Sequence, residues 1–514
     1  MTGAESLVQT LLNGGVEICF TNPGTSEMHV VSAMDKAAGM RTILGLFEGV
    51  CTGAADGYAR MAGKPAATLL HLGPGLGNGL ANLHNARRAN SPMVNIVGDH
   101  ATYHLKYDAP LTSDIEAIAG TVSGWVRTCK DGSAVPNDAA DAIAASMKPP
   151  GSIATLILPA DCAWSESAAP APAPQKLRPA GVDPKTIDHI AQILRKGEPA
   201  VMLMAGPFLM ETELWLAGRI SRATGARIIG ERLNGRVQRG AGRAKFSRLP
   251  YPVKPALEML EGAAHLILVG AKPPVSFFAW PNLPNWLTPG NCMIHTLADP
   301  EQDGLQALET LAEALNAPSE PAAVHELERP ALPTGKITAE KVWTAIAALM
   351  PDHSIISDEG VTSSRDADRW TSGAPAHDWL SITGGAIGQG MPVATGAAVA
   401  CPDRKVFSMQ ADGSGMYTLQ ALWTQAHEKL DVITVIFANH CYKILEGELE
   451  RVGVEEIGPK ARDLIDLTRP ELDWVKLANG MGVKAVKVDT AEKFNRQLEA
   501  AIYTPGPHLI EVEL

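Results

Sequence analysis

The chain has 514 residues, 46% of them hydrophobic and 19% charged, with a formal net charge of −12. That length exceeds what one hydrophobic core organises, so about three domains are expected, and the ordinary globular balance excludes wholesale disorder. The acidic balance excludes a nucleic-acid surface, which needs clustered Lys and Arg, and no run of about 18 uncharged apolar residues is present to span a membrane.

Two stretches rich in Pro and Ala, Ser165 to Gly181 and Ala317 to Gly335, read as connections. They divide the chain into segments 1–165, 182–316 and 336–514, each of domain size. In the first segment, strands are expected at Val16–Phe20, Thr42–Phe47, Ala66–Leu72 and Met93–Gly98, with helices over Glu48–Met61 and Gly79–Ala89 between them. The central segment continues with strands at Ala200–Met204, Ala226–Gly230, His265–Gly270 and Cys292–Leu297. The last has strands at Ser354–Ser357, Lys405–Gln410, Val432–Ala438 and Leu509–Val512. Short apolar runs alternating with helices predict parallel sheets covered on both faces. The expected architecture is α/β, three consecutive doubly wound domains, with ligands at the carboxyl ends of the strands.

Several chemistry-bearing residues fall at those strand ends. Glu48 follows the strand Thr42–Phe47 at the start of a helix, where the helix dipole alone would favour it. His71 closes the strand Ala66–Leu72 ahead of Gly73-x-Gly75-x-x-Asn78, which has the outline of a dinucleotide loop with Asn in place of the third Gly. A nucleotide-dependent oxidoreductase is therefore one reading. In the last segment the strand Lys405–Gln410 runs into Ala411-Asp412-Gly413-Ser414, with a helix expected near Tyr417. Asn439 then ends the next strand, 27 positions after Asp412. One helix and one returning strand bring Asp412 and Asn439 side by side. Aspartate, amide and carbonyl oxygens suit a small octahedral cation that also binds diphosphate, and Gly413 and Ser414 offer an N–H and a hydroxyl to the same anion.

The span A-D-G-S followed by A-N-H-C-Y resembles the Gly-Asp-Gly … Asn-Asn motif of thiamine-diphosphate enzymes, with Ala411 and Ala438 replacing the first Gly and first Asn. The segment F-E-G-V-C-T-G-A-A-D-G-Y-A-R-M-A-G-K-P resembles that around the activating glutamate of acetolactate synthases and benzoylformate decarboxylases. Asn22-Pro23-Gly24-Thr25-Ser26-Glu27 upstream and Gly73-Pro74-Gly75 with Asn78 downstream extend the match. Gly384 to Pro392 is similar to the family stretch G-x-M-G-x-G-L-P. The resemblance implies thiamine diphosphate held through Mg²⁺, with Asp412, Asn439 and the main-chain carbonyl of Cys441 as metal ligands. It implies further cofactor contacts at Thr25, Gly385, Ile387, Gly413, Ser414 and Tyr442. Ile387 would support the bent coenzyme, and the Gly385 carbonyl would accept from the pyrimidine amino group. Glu48 would share a proton with the pyrimidine ring. A homodimer or homotetramer, with active sites at the subunit interface, also follows from the resemblance.

A carbon–carbon bond next to a 2-oxo group is then cleaved or formed on a small 2-oxo acid. His71 matches a substrate-side histidine of benzoylformate decarboxylase and is the expected catalytic proton carrier; Ser276 to Trp280 stands where that enzyme has its second histidine. Measured against acetolactate synthases, Asp108 to Thr112 lacks the pocket Phe and Gln, and Gly124 replaces a Lys. The Arg-Phe-Asp-Asp-Arg stretch associated with FAD is absent, so FAD is not expected. The leading expectation is a decarboxylase of benzoylformate-decarboxylase type, with an acetolactate-synthase-like carboligase without FAD and a catalytically silent relative as the other readings. The start Met1-Thr2-Gly3-Ala4-Glu5 is unlike a signal peptide, and seven cysteines without a C-x-x-C pair fit reduced thiols, so a cytoplasmic location is expected.

Overall fold

A computed structural model describes residues 1–514. The first sheet holds β1 (Ile18–Asn22), β2 (Arg41–Leu44), β3 (Ala66–Leu70), β4 (Met93–Asp99), β5 (Trp125–Thr128) and β6 (Ile153–Pro159), in the order β2-β1-β3-β4-β6-β5. The central segment supplies β7 (Ala200–Met204), β8 (Arg227–Gly230), β9 (Val237–Arg239), β10 (Ser247–Arg248), β11 (His265–Val269) and β12 (Met293–Ala298). All of these but β9 form a second sheet, ordered β10-β8-β7-β11-β12. The third sheet holds β13 (Ile355–Glu359), β14 (His377–Ser381), β15 (Val406–Ala411), β16 (Val432–Ala438), β17 (Lys484–Val488) and β18 (His508–Glu513). Its order is β17-β18-β16-β15-β13-β14-β9.

Every pairing is parallel except that of β9 with β14. Parallel sheets need cover on both faces, and accordingly every residue of β3, β4, β6, β7, β11, β14 and β16 is buried. The apolar runs at Ala200–Met204 and Val432–Ala438 are strands over those residues. Three differences from the sequence reading stand out. Ile153–Pro159 is a strand the reading passed over, although its composition matches its neighbours. β9 lies in the central segment by sequence yet pairs with the third sheet, Val237 opposite Trp379. The helix expected from Gly79 spans Leu72–Ala89, because Pro is tolerated in a first helical turn. Residues 73–78 are thus helix, and Leu72, at φ 49°, makes the sharp break from β3.

The first and third domains meet where helix Glu48–Ala62 crosses helix Gly390–Ala400. A Cβ on Gly396 would lie 1.8 Å from the Ala54 carbonyl oxygen, and one on Gly57 would lie 2.1 Å from that of Val393, so only glycine allows the approach. Beside this crossing, Asp56 and Arg60 form a 2.6 Å ion pair with side chains 0% and 2% exposed. Arg60 also donates to the carbonyls of Ser381 (2.9 Å) and Gly235 (3.2 Å), and Gln389 donates to Asp56 (2.9 Å). A buried pair holds only when its remaining donors and acceptors are met, and here they are met by all three domains. No helix is long and apolar enough to cross a membrane.

Candidate active site

Glu48 is the first residue of its helix and is 7% exposed. The Asn78 amide, nearly two turns into helix Leu72–Ala89, donates to Glu48 Oε2 at 2.9 Å. Gly75 separates this carboxylate from His71: a Cβ there would stand 3.3 Å from Glu48 Oε1 and 3.3 Å from His71 Cβ. His71 follows β3 as the residue capping that helix, and its Nδ1 lies 2.7 Å from Glu27 Oε2. Glu27 is buried and also accepts from the Gly24 N–H (2.8 Å) and the Ser26 hydroxyl (2.7 Å). The ring packs flat against Gly24, whose Cβ would fall 2.2 Å from Nδ1. With Nδ1 fixed by a carboxylate, Nε2 is the nitrogen left to exchange a proton. Thr25 sits on the exposed side of the same turn.

The segment 384–390 links this cluster to the third domain. Asn82 donates to the carbonyls of both Gly49 (2.7 Å) and Gly388 (3.1 Å), so the start of the Glu48 helix and the Ile387–Gly388 turn share one amide. Asn85 donates to the Ala386 carbonyl at 2.8 Å. Gly385 has φ 78° and meets the aromatic ring of Phe277, which comes from the central domain. Ile387 is half-buried. Under the turn, Glu359 at the end of β13 accepts from the N–H groups of Gly388 (2.5 Å) and Gly390.

At the ends of β15 and β16 the structure brings Asp412 and Asn439 together. Asp412 is 2% exposed; its Oδ1 accepts from Gly413 N (2.8 Å) and its Oδ2 from His440 N (2.6 Å), the residue after Asn439. Burial pushes the Asp412 carboxyl above the usual aspartate range, and these backbone donors oppose that. His440 takes φ 55°, which turns the chain back so that Asn439 Oδ1 accepts from Cys441 N at 3.1 Å. Ser414 receives the Gln410 amide at 2.6 Å. A Cβ on Gly413 would meet the Tyr442 ring at 2.6 Å, leaving a cradle that only a glycine leaves open.

Residues 1–119 match the thiamine pyrophosphate enzyme N-terminal TPP binding domain, and residues 362–512 match the C-terminal TPP binding domain. A Mycobacterium tuberculosis protein named "Putative acetolactate synthase large subunit IlvX" is 54% identical over 100% of this chain and 99% of its own length. The chain belongs to the thiamine pyrophosphate enzyme family. Benzoylformate decarboxylase of Pseudomonas aeruginosa is 28% identical over 98% of this thiamine pyrophosphate enzyme and 97% of its own chain. Among solved structures, a Rhodococcus jostii RHA1 thiamine diphosphate-dependent 4-hydroxybenzoylformate decarboxylase superposes with a TM-score of 0.85 at 24% identity, covering 100% and 99% of the two chains. Benzoylformate decarboxylase from Polynucleobacter necessarius gives 0.84 at 20% identity over 99% and 98%. Both share the fold.

The residues present fit a Mg²⁺–diphosphate group: hard oxygens at Asp412 and Asn439, and a small-residue cradle at Gly413. Sequence reasoning missed Glu27, Asn82 and Glu359. Glu27 stands in the quoted Asn22-to-Glu27 stretch, but nothing in the sequence says that it reaches a histidine 44 positions on. Glu359 has a signal that could have been used, an acid at the end of a strand immediately before glycine.

Proposed function

We propose that this thiamine pyrophosphate enzyme is a Mg²⁺-dependent 2-oxo acid decarboxylase of benzoylformate-decarboxylase type. The observation that carries the reading is His71 beside Glu48 across Gly75, its ring held by Glu27. In it, Asp412, Asn439 and the Cys441 carbonyl hold the metal, and Gly413 and Ser414 receive the diphosphate. Gly385, Ile387, Thr25 and Tyr442 seat the rest of the cofactor. Bound thiamine diphosphate supplies a nucleophilic carbon and the electron sink for loss of CO₂. Glu48 carries the proton shared with the pyrimidine ring, and Asn78 fixes the orientation of its carboxylate. His71 Nε2 exchanges the substrate proton while Glu27 holds the imidazole tautomer. Phe277, packed with Tyr251 and Phe278 at 5.6 and 4.8 Å between ring centroids, stands over Gly385 and favours an apolar group on the 2-oxo acid. The two halves of each site are joined across a homodimer or homotetramer. FAD takes no part, and the enzyme works in the cytoplasm.

The name of the 54% identical relative favours a second reading, an acetolactate-synthase-like carboligase without FAD. Incubation of the Mg²⁺–thiamine-diphosphate enzyme with aryl and alkyl 2-oxo acids, with and without acceptor aldehydes, separates the two. One aldehyde per CO₂ is expected, and His71→Ala should lower kcat by about 10²-fold. Quantitative carboligated product from a 2-oxo acid alone would transfer the assignment to the synthase reading.

A further inference from the structure

Between the central and third domains lies a cavity of about 40 Å³, lined by Arg232, Arg239, Arg243, Arg248 and Trp379 among others. It shares no residue with the Glu48, Gly385 or Asp412 clusters. Three of its guanidinium groups have no carboxylate partner. Arg232 makes no side-chain hydrogen bond and lies 5.9 Å from the Tyr251 ring centroid. Arg239 donates only to the Asp368 carbonyl (2.6 Å) and faces the Trp379 ring at 5.1 Å. Arg248 donates to the Arg232 carbonyl at 3.2 Å. Only Arg243 has an ion pair, with Glu211 at 2.7 Å, and even there Nε is buried without a partner. The indole N–H of Trp379, in a side chain 1% exposed, also has no acceptor.

Burial pushes Arg232 and Arg239 down to about 10, so both keep their charge at neutral pH. His325, also on the wall, is held down to about 4 by burial and nearby cations and is neutral there. The carboxylates on the lining are Glu231 and Asp368; Asp358 lies close enough to interact with Arg232, Arg239 and Arg248, and of the four guanidinium groups only that of Arg243 is ion-paired, with Glu211. The four arginines are partly exposed, and charges drawn part-way out of water without partners carry a cost. Water could accept from the unmet N–H groups but would leave three guanidinium groups without a hydrogen-bonded carboxylate. A multiply charged oxyanion answers both, and a cavity of this size has room for about three waters or one such group.

We propose that this arginine-lined cavity binds a phosphate group, either inorganic phosphate or the head of a phosphomonoester. The site is placed where β9 passes from the central domain to pair with β14, so its occupant would also cross-link those two domains.

The test uses enzyme saturated with thiamine diphosphate and Mg²⁺, so that the diphosphate cradle is filled. Calorimetric titration with inorganic phosphate, glycerol 3-phosphate and glycerol should give one phosphate-sensitive site per chain and no heat from glycerol. The tighter of the two phosphates identifies the source. Arg232→Gln and Arg248→Gln should each weaken binding by about tenfold or more, with unchanged circular dichroism. Should either variant fail to fold, the wild-type reading remains: phosphate should raise Tm where chloride at equal ionic strength does not. Absence of phosphate binding to the saturated enzyme, or equal affinity in folded variants, would overturn the proposal. Because neither readout uses turnover, failure here leaves the decarboxylase reading standing.

Discussion

Glu359 illustrates how one carboxylate can control a turn. It is 1% exposed, and burial pushes it up to about 7 although the N–H groups of Gly390 and Gly388 favour the ionised form. Its folded value exceeds the usual 4.5, so its contribution to stability is full below that value and is lost as pH rises through about 7. Glu359→Gln should therefore flatten the fall in urea midpoint between about pH 5 and pH 8, measured against wild type. At Glu48 the expected effect is chemical: Glu48→Gln should cost about 10²- to 10⁴-fold in kcat with Tm nearly unchanged. In the proposed mechanism Glu27 acts through His71. Glu27→Gln should lower kcat by about tenfold or more and add little once His71→Ala is present, a coupling that a double-mutant cycle reads directly. Full additivity would mean that the 2.7 Å contact has no catalytic consequence.

Two helices decide how the outer domains meet. Alanine normally stabilises a helix relative to glycine by about 1 kcal/mol. Gly396→Ala in helix Gly390–Ala400 should do the reverse, because the added methyl meets the Ala54 carbonyl at 1.8 Å, a backbone atom that cannot rotate away. Overpacking of this kind costs about 1–3 kcal/mol, read as a lower urea midpoint at constant m. The other element-level device is helix Leu72–Ala89, which in its first three turns presents His71 as cap, then Gly75, Asn78 and Asn82. One helix thereby contacts Glu48, the Gly49 carbonyl and the Gly388 turn.

Across the whole molecule, the Asp56–Arg60 pair ties the three domains at one point. Asp56→Ala leaves a buried guanidinium unpaired and should cost about 3–5 kcal/mol, seen in chemical denaturation as loss of a single cooperative transition. Thiamine diphosphate with Mg²⁺ should raise Tm, since a ligand that binds only the folded state shifts the equilibrium towards it. If the site is completed by a second subunit, activity should also fall on dilution in step with the oligomer measured by sedimentation.

The class of fold, the strands at Ala200–Met204 and Val432–Ala438, and the Asp412/Asn439 pairing were legible in the chain itself. Period, apolar runs and the spacing of one crossover unit are local properties, and each residue carries them wherever the chain goes. Glu27 at His71, the single Asn82 amide serving two carbonyls, the transfer of β9 to the third sheet and the unpaired arginines around Trp379 were decided by tertiary structure alone. Each depends on segments far apart in sequence meeting at hydrogen-bond distance, and no local pattern encodes which distant donor a buried acceptor will find.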